Sequence, residues 1–442
     1  MIGMAVHLTP RRPLLLAVGA WTALGLAGAW LPGLLPLWQG AGLLLAGLAA
    51  ADLWQLRATP VPAVEREVAG ILPQGTWCDV RLRLTNGATR PLWLDVHDLH
   101  PNDAAVRGLP ATLRLPAPGG ATLRYRLRAP TRGWRRFAGC DLRLHSPLGL
   151  WGRRRPCPPA QAVRIYPNFA EIGRYTLLAS SDHLAGLGVR HQRRRGIGAE
   201  FHQLREYRRG DSLRLIDWKA TSRVRKPISR EYQEERDQRL VFLLDCGRRM
   251  RHRDRVGHAH LDEALNAMLL LAYVAMHQGD AVGLLAYGGE ERWLPPRRAP
   301  DTVERLLRMV FDLQPSLAVA DPLAAAQTLL ARQPRRALVV FLTNSRDEDH
   351  PELLRAVQVL RRRHLVLVAD LREASLDAAL AEPVRSETEA LRFHAVHGYL
   401  EDRRRHHERL AHLGVRVLDL RPEQLPPALL NAYSSIKRAA LL

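Results

Sequence analysis

Lysine is almost missing from this chain. Of 65 basic residues only Lys219, Lys226 and Lys437 are lysines, so arginine carries nearly all of the formal charge of +21. A chain-wide arginine bias then explains much of the charge, which weakens the nucleic-acid reading that a strongly basic protein otherwise invites. No nucleic-acid recognition motif accompanies the arginines, and nucleic acid is disfavoured as a partner. Cysteine is scarce as well. Cys78, Cys140, Cys157 and Cys246 show no CxxC spacing, which argues against a zinc knuckle and a dense disulfide framework and fits a reducing compartment. They read as small apolar core residues or bystanders. The sequence also lacks a GxxxxGK[ST] loop, a GxSxG elbow and a dinucleotide fingerprint, which leaves ATP hydrolysis and serine-hydrolase chemistry without visible machinery.

Charge of either sign is missing from one long stretch. Between Arg12 and Asp52 there is no Asp, Glu, Lys or Arg. A bilayer core of ~30 Å needs about 20 helical residues, and Leu31-Pro32-Gly33-Leu34-Leu35-Pro36 divides the run into two segments, near Leu14–Leu31 and Leu37–Leu53. Trp30, Trp38 and Trp54 stand where aromatic rings favour the interface. Arg11, Arg12 and Arg57 flank the pair, so the positive-inside bias puts both ends in the cytoplasm and the protein at the inner membrane. Arg11-Arg12 also loosely resembles a twin-arginine export signal, but a cleaved signal would leave the second apolar segment unexplained.

What is present is enough to fold. At 442 residues, with 47% hydrophobic and 25% charged residues, the chain is too long for one core and too apolar for disorder, so several units are expected. Residues 1–57 form the hairpin. Residues 58–170 alternate with period two: Val80, Leu82 and Leu84 against Asp79, Arg81 and Arg83, then Leu92, Leu94 and Val96, then Leu123, Tyr125 and Leu127 against Arg124, Arg126 and Arg128. These short strands, with Asn86-Gly87 as a hairpin turn signal, predict a β-sandwich-like module whose arginines are solvated strand faces. Residues 236–442 alternate apolar runs (Leu240–Leu244, Ala281–Tyr287, Ala337–Leu342, Leu365–Ala369, Val415–Leu418) with helical patterns. That alternation predicts a doubly wound α/β domain. The fold class is multidomain: a transmembrane α-hairpin, the sandwich-like module and this α/β domain.

Residues 171–235 are the most informative. Glu200, Glu206, Asp211 and Asp217 interleave with Arg205, Arg208, Arg214, Lys219 and Arg223, an arrangement suited to internal ion pairing and to a brace between domains. A metal-dependent or hydrolytic enzyme using Glu200, His202, Asp211 and Asp217 is a second reading. Catalytic carboxylates generally need unequal environments, however, and here each has a nearby cation. The third reading, an arginine-rich binder of anionic lipid or nucleic acid, predicts one continuous basic face.

The string from Gly198 to Lys219, G-x-E-F-x-x-L-R-E-Y-x-x-G-D-x-x-R-x-I-D-W-K, closely resembles the signature of the bacterial family called domain of unknown function fifty-eight. Its residues here are Glu200, Phe201, Leu204, Arg205, Glu206, Tyr207, Gly210, Asp211, Arg214, Asp217, Trp218 and Lys219, with Arg223 following. Arg132-Gly133-Trp134, Ser146–Trp151 and Arg164-Ile165-Tyr166-Pro167 look like further landmarks of that family. The resemblance implies a von Willebrand factor A-like α/β domain and a non-enzymatic scaffold or adaptor. It implies as partners a MoxR-type AAA+ ATPase and other von Willebrand factor A-like membrane proteins, in the assembly or maturation of another complex.

In such a domain Asp245 corresponds to the first acid of a metal site of the form Asp-x-Ser-x-Ser. Here the string is Asp245-Cys246-Gly247-Arg248-Arg249, and the later acidic position reads Thr343-Asn344. Gly247, Arg249 and Asn344 thus stand where oxygen ligands are required, so neither metal nor cofactor is expected and Arg249 or another arginine is expected to neutralise Asp245. His394, His397, His406, His407 and His412 read as an exposed helix face rather than zinc ligands, because no HExxH or Cys companion appears. No catalytic residue is assigned.

Overall fold

A computed structural model describes residues 7–157, 160–167, 200–207, 216–233, 238–253 and 259–439. Its contacts group into two units, Met1–Asn168 and Phe169–Leu442.

In the first unit, helices α1 (Arg12–Trp30) and α2 (Leu35–Ala58) form the hairpin, joined by a short 3-10 turn at Pro32–Leu34. Both are long and apolar enough to cross a membrane. Their packing explains two glycines: a Cβ on Gly25 would lie 2.6 Å from the Trp38 ring and one on Gly42 would lie 2.7 Å from Trp21. The two tryptophans stack at 5.2 Å, and Trp21 donates its indole N–H to the Trp38 carbonyl.

The strands of this unit are β1 (His7–Pro10), β2 (Ala63–Glu67), β3 (Ile71–Pro73), β4 (Cys78–Asn86), β5 (Leu92–Leu99), β6 (Ala105–Arg107), β7 (Ala111–Leu115), β8 (Gly119–Arg128), β9 (Gly133–Phe137), β10 (Gly139–His145), β11 (Trp151–Cys157) and β12 (Gln161–Tyr166). One sheet runs β1-β11-β10-β5-β7 and another β2-β4-β8-β6, with a small β3-β12-β9 sheet beside them. The alternating residues Val80, Leu82 and Leu84 of one sheet and Leu94, Val96, Leu142 and Leu144 of the other meet in a single core.

Three expectations change here. Asn86-Gly87 closes no hairpin, because β4 pairs with β2 and β8 whereas β5 pairs with β10 and β7. The Asn86 side chain instead ties the crossover, donating to the Arg90 and Pro116 carbonyls and accepting from the Ala88 N–H. The arginines are not all solvated. Arg66 pairs with the buried Asp98, which also accepts from Tyr125, while Arg132 and Arg153 are buried. Finally, the hairpin and the sandwich are one body. Strand β1 precedes the first helix and pairs with β11, and Leu56 near the end of α2 lies in the sandwich core. Arg153 donates to the carbonyls of Leu56, Arg57 and Thr59 at 3.1–3.2 Å, satisfying the orphan acceptors of that helix end.

The second unit contains the antiparallel pair β13 (Glu200–Glu206) and β14 (Ile228–Gln233) with helix α3 (Trp218–Val224), followed by a six-stranded sheet. The sheet's strands are β15 (Arg239–Asp245), β16 (Ala281–Tyr287), β17 (Arg292–Arg297), β18 (Leu338–Thr343), β19 (Leu365–Leu371) and β20 (Arg416–Leu420), in the order β17-β16-β15-β18-β19-β20. All pairs are parallel except the edge strand β17, an element absent from the expected strand set. Its helices are α4 (His260–His277), α5 (Thr302–Val310), α6 (Pro322–Arg332), α7 (His350–Leu360), α8 (Ala374–Ala381), α9 (Glu387–His412) and α10 (Leu425–Arg438). Val241, Leu243, Val339 and Phe341 face α6 and α7 in one core. Strand alternation turns Leu240, Phe242 and Leu244 to the opposite face, where α4 packs with α10. This is the predicted doubly wound architecture. Its order reverses between β15 and β18, and in open α/β sheets the crevice beyond the carboxyl ends at such a point is where ligands bind.

Candidate functional site

Asp245 and Thr343 end the two strands that flank this reversal. Asp245 is buried, and both its oxygens are occupied by the protein itself: the Gly247 N–H donates to one at 2.7 Å and the Thr343 hydroxyl to the other at 2.7 Å. Burial raises its pKa to about 6 against the pull of those hydrogen bonds. Gly247 stands in place of a hydroxyl residue for a steric reason. A Cβ there would meet the Ala320 Cβ at 2.9 Å and the Ala318 carbonyl at 3.1 Å, since Arg248 donates its N–H to that same carbonyl. Gly288, at φ +79°, is held as closely to Ala320 and to the Gly247 nitrogen. The loops after β15 and β16 and before α6 therefore close backbone against backbone over Asp245. The space left beside it is about 20 Å³, room for roughly one water.

Arg249 does not neutralise Asp245 directly, contrary to the sequence-based expectation. Its Nε sits 2.7 Å from Asp349 and its terminal nitrogen 2.7 Å from Glu348. Asn344 also turns away: its amide nitrogen lies 3.2 Å from both Glu373 and His260 Nδ1. The donor set does not fit a resident divalent ion. Asp245 is satisfied by uncharged donors, Asp349 is held by a guanidinium, and the Ser345 hydroxyl is committed to Asp370 at 2.5 Å.

Asp370, near the end of β19, is the second charged centre and was not foreseen. It is fully buried and accepts from the Ser345 N–H at 2.8 Å, with Arg403 at 3.0 Å and His407 Nε2 at 2.9 Å. Burial alone would raise it, yet Arg403 and His407 hold it well below the ordinary carboxylate range. Arg403 is itself buried and also reaches Asp419 and the carbonyls of Ser345 and Leu371. The helix carrying it was expected to show an exposed histidine face. His394, His397 and His412 do lie exposed, but His406 is buried, with its ring stacked on His350 at 3.8 Å. Burial and the neighbouring imidazole push His406 down to about 3, so it is neutral.

Next to these two closed centres lies an open basin of about 730 Å³, lined among others by Arg248, Arg251, His252, Arg346, Glu373 and Tyr399. Arg346 pairs with Glu373 and stands over the Tyr399 ring at 5.2 Å.

The signature residues lie on a separate element. Glu200, Phe201, Leu204, Arg205 and Glu206 are on β13, which pairs with β14 through an irregularity between Phe201 and Gln203, the position of His202. Tyr207 donates its N–H to the Pro227 carbonyl. Asp217 caps α3, accepting from the N–H groups of Lys219 and Ala220 at 3.0 Å. Trp218, Lys219 and Arg223 are exposed. Glu206 pairs with Lys226 at 3.0 Å on the surface. Gly210, Asp211 and Arg214, and the side chains of Glu200, Phe201, His202 and Arg205, lie outside the described residues. The structure thus gives Asp217 a helix-capping role and Glu206 an exposed ion pair. Of the proposed catalytic set Glu200, His202, Asp211 and Asp217, only the Asp217 side chain lies within the described residues.

Residues 203–409 match the family described as "Protein of unknown function DUF58". The chain is 22% identical over 261 residues to "Uncharacterized protein YeaD" of Bacillus subtilis (strain 168), a match covering 58% of this chain and 61% of that relative. Among solved structures, native E. coli alpha-2-macroglobulin aligns at 16% identity with a TM-score of 0.19, covering 24% of this chain and 7% of that one. The CARDB domain of the PF1109 protein of Pyrococcus furiosus, solved in complex with di-metal ions, aligns at 10% identity with a TM-score of 0.17, covering 24% and 90%. Likenesses at these scores carry no argument.

Proposed function

Residues 203–409 of this chain match the DUF58 family of proteins of unknown function, and from that premise we propose that the protein is a membrane-anchored, non-enzymatic scaffold. Its partner on this reading is a MoxR-type AAA+ ATPase, with other von Willebrand factor A-like membrane proteins in the same assembly, and its task is the assembly or maturation of another protein complex. The six-stranded domain is read as von Willebrand factor A-like. The hairpin spans the inner membrane, and the sandwich and the six-stranded domain face the cytoplasm, in keeping with Arg11, Arg12 and Arg57 at the hairpin's ends.

One observation carries the docking reading. At the carboxyl edge of the sheet, Asp245 is covered by three loops and satisfied from within, while the neighbouring basin, where Arg248, Arg249, Arg251 and Arg346 stand among Asp347, Glu348 and Glu373, stays open. A closed carboxylate supports neither metal binding nor turnover at that point. An open polar basin that presents guanidinium groups and carboxylates side by side suits a protein surface whose charges of both signs match it.

The test is affinity purification of the full chain from membranes in the presence of a non-hydrolysable ATP analogue, comparing wild type with Arg346→Glu, Asp217→Ala and Asp245→Ala. Recovery of an AAA+ ATPase with wild type, lost with Arg346→Glu and kept with Asp245→Ala, is the expected result. If wild type brings down no such ATPase, the partner assignment is wrong. If Arg346→Glu retains it, the basin is not the docking surface.

A further inference from the structure

The loop between β10 and β11, Ser146-Pro147-Leu148-Gly149-Leu150-Trp151, is bonded to the hairpin rather than only to its own module. Asp52 of α2 accepts from the Leu148 N–H at 2.9 Å and from the Leu150 N–H at 3.3 Å. Arg11, just before α1, donates its N–H to the Leu150 carbonyl at 2.9 Å, and the Trp151 indole donates to the Ala49 carbonyl at 2.9 Å. Asp52 is buried although it belongs to a helix whose other faces are largely bare. A carboxylate in that position needs compensating donors, and the two loop amides supply them.

The level of these contacts along the helix follows from the hairpin's register. Gly25 lies against Trp38 and Gly42 against Trp21, which sets Arg11 level with Asp52. The uncharged stretch of α2 from Leu35 to Ala51 rises about 26 Å at ~1.5 Å per residue. That is a little short of the ~30 Å hydrocarbon core. The bilayer edge therefore falls at Asp52 or slightly beyond it, where Trp54 is 73% exposed. The Ala49 carbonyl that holds Trp151 is nearly one helical turn deeper. A loop bonded at these levels cannot stand clear of the lipid, and its Leu148 is 56% exposed.

We propose that the Ser146–Trp151 loop is a lipid-contacting edge of the β module, seated at the boundary of headgroups and acyl chains with Leu148 against phospholipid. This rests on the reading of the hairpin as membrane-spanning. The physical return is orientation. Because β1, the Asp52 contacts and the Arg153 clamp leave no free linker between hairpin and sandwich, a lipid-seated loop fixes the tilt of the sandwich on the bilayer.

The experiment places the photoreactive residue benzoylphenylalanine, one site at a time, at Leu148, at Leu43 in mid-helix and at Arg124 on an exposed strand face. Each full-length chain is reconstituted in phosphatidylcholine vesicles containing phosphatidylglycerol, irradiated, and scored for lipid adducts by mass spectrometry. Leu148 is exposed and the loop's amides are kept, so the fold is not put at risk. The expected yield at Leu148 approaches that at Leu43 and exceeds that at Arg124 roughly tenfold, as an apolar group at the interface should. Adducts at Leu43 with none at Leu148 overturn the loop assignment while leaving the hairpin in the bilayer. Equal yields at Leu148 and Arg124 overturn it too, since the loop would then be no edge. No adduct at Leu43 overturns the membrane reading, and the loop assignment with it.

Discussion

Asp245 and Asp370 stand at the carboxyl ends of parallel strands in one sheet, β15 and β19, and are 4% and 0% exposed. Both are withdrawn from bulk water, but the protein replaces it differently. Asp245 receives two uncharged donors and its pKa rises to about 6. Asp370 receives a buried guanidinium, an imidazole, a hydroxyl and a backbone N–H, and is held well below the carboxylate range. Equal burial thus produces opposite shifts, because the charge brought into contact, not the depth, decides the sign. The contrast also divides their roles: Asp370 ties α9 and the Ser345 turn to β19, whereas Asp245 is a tolerated charge in a closed space.

The comparison breaks most visibly at Arg403. Arg403→Met would leave Asp370 buried without its cation, and the loss of a buried partner costs roughly 3–5 kcal/mol. Because the folded pKa of Asp370 is depressed, its pair contributes stability above the ordinary carboxylate pKa and loses it as pH falls below that range. Hydrogen exchange of the β19 amides in the detergent-solubilised chain should therefore accelerate strongly in Arg403→Met at neutral pH. Wild type and variant should converge in acid. Unchanged protection at neutral pH would show that the network does not hold β19.

At Asp245 the sign reverses. Its folded pKa is raised from 3.8 to about 6, so its contribution is complete below pH ~4 and is lost as pH rises through 6. Asp245→Asn keeps the shape and can still accept from the Gly247 N–H, while its amide turns the Thr343 hydroxyl into an acceptor. Removing the buried charge should stabilise the domain by about 3 kcal/mol at neutral pH and by almost nothing at pH 4. Denaturant unfolding at the two pH values measures it, and destabilisation at neutral pH would mean that the carboxylate has a cation the described residues do not provide.

The sequence announced one of these centres and hid the other for physical reasons. The buried parallel strands were legible as apolar runs, since Leu240–Leu244 and Leu365–Ala369 have no polar face to interrupt them. The hairpin was legible because Pro32, Gly33 and Pro36 break an uncharged stretch. Asp245 drew notice by following an apolar run immediately. Asp370 follows one too, but its partner Arg403 is 33 positions away, in a string of arginines and histidines that reads as a solvated helix face. Nothing local marks Arg403 and His406 as the members of that string that turn inward; only their spacing with the buried Leu410 hints at it. Strand β17, carrying Pro295 and Pro296, was missed because proline argues against a central strand, whereas the sheet edge tolerates it. The fusion of hairpin and sandwich could not be read at all, since β1 is four residues long and its partner lies beyond residue 150.

Arg249 gives the smallest effect and the sharpest discrimination. As the counter-ion of Asp245 it would matter as much as Arg403 does to Asp370. In the structure its partners are Glu348, 72% exposed, and Asp349, 15% exposed against 16% for Arg249 itself, so water competes for the first pair and much less for the second. Arg249→Gln should then cost about 1–2 kcal/mol, less than the loss of a fully buried partner, and only the Glu348 share of that loss should shrink with added salt. A cost near that of Arg403→Met, insensitive to salt, would show that the guanidinium and Asp245 act as one buried pair and that the two aspartates are compensated alike.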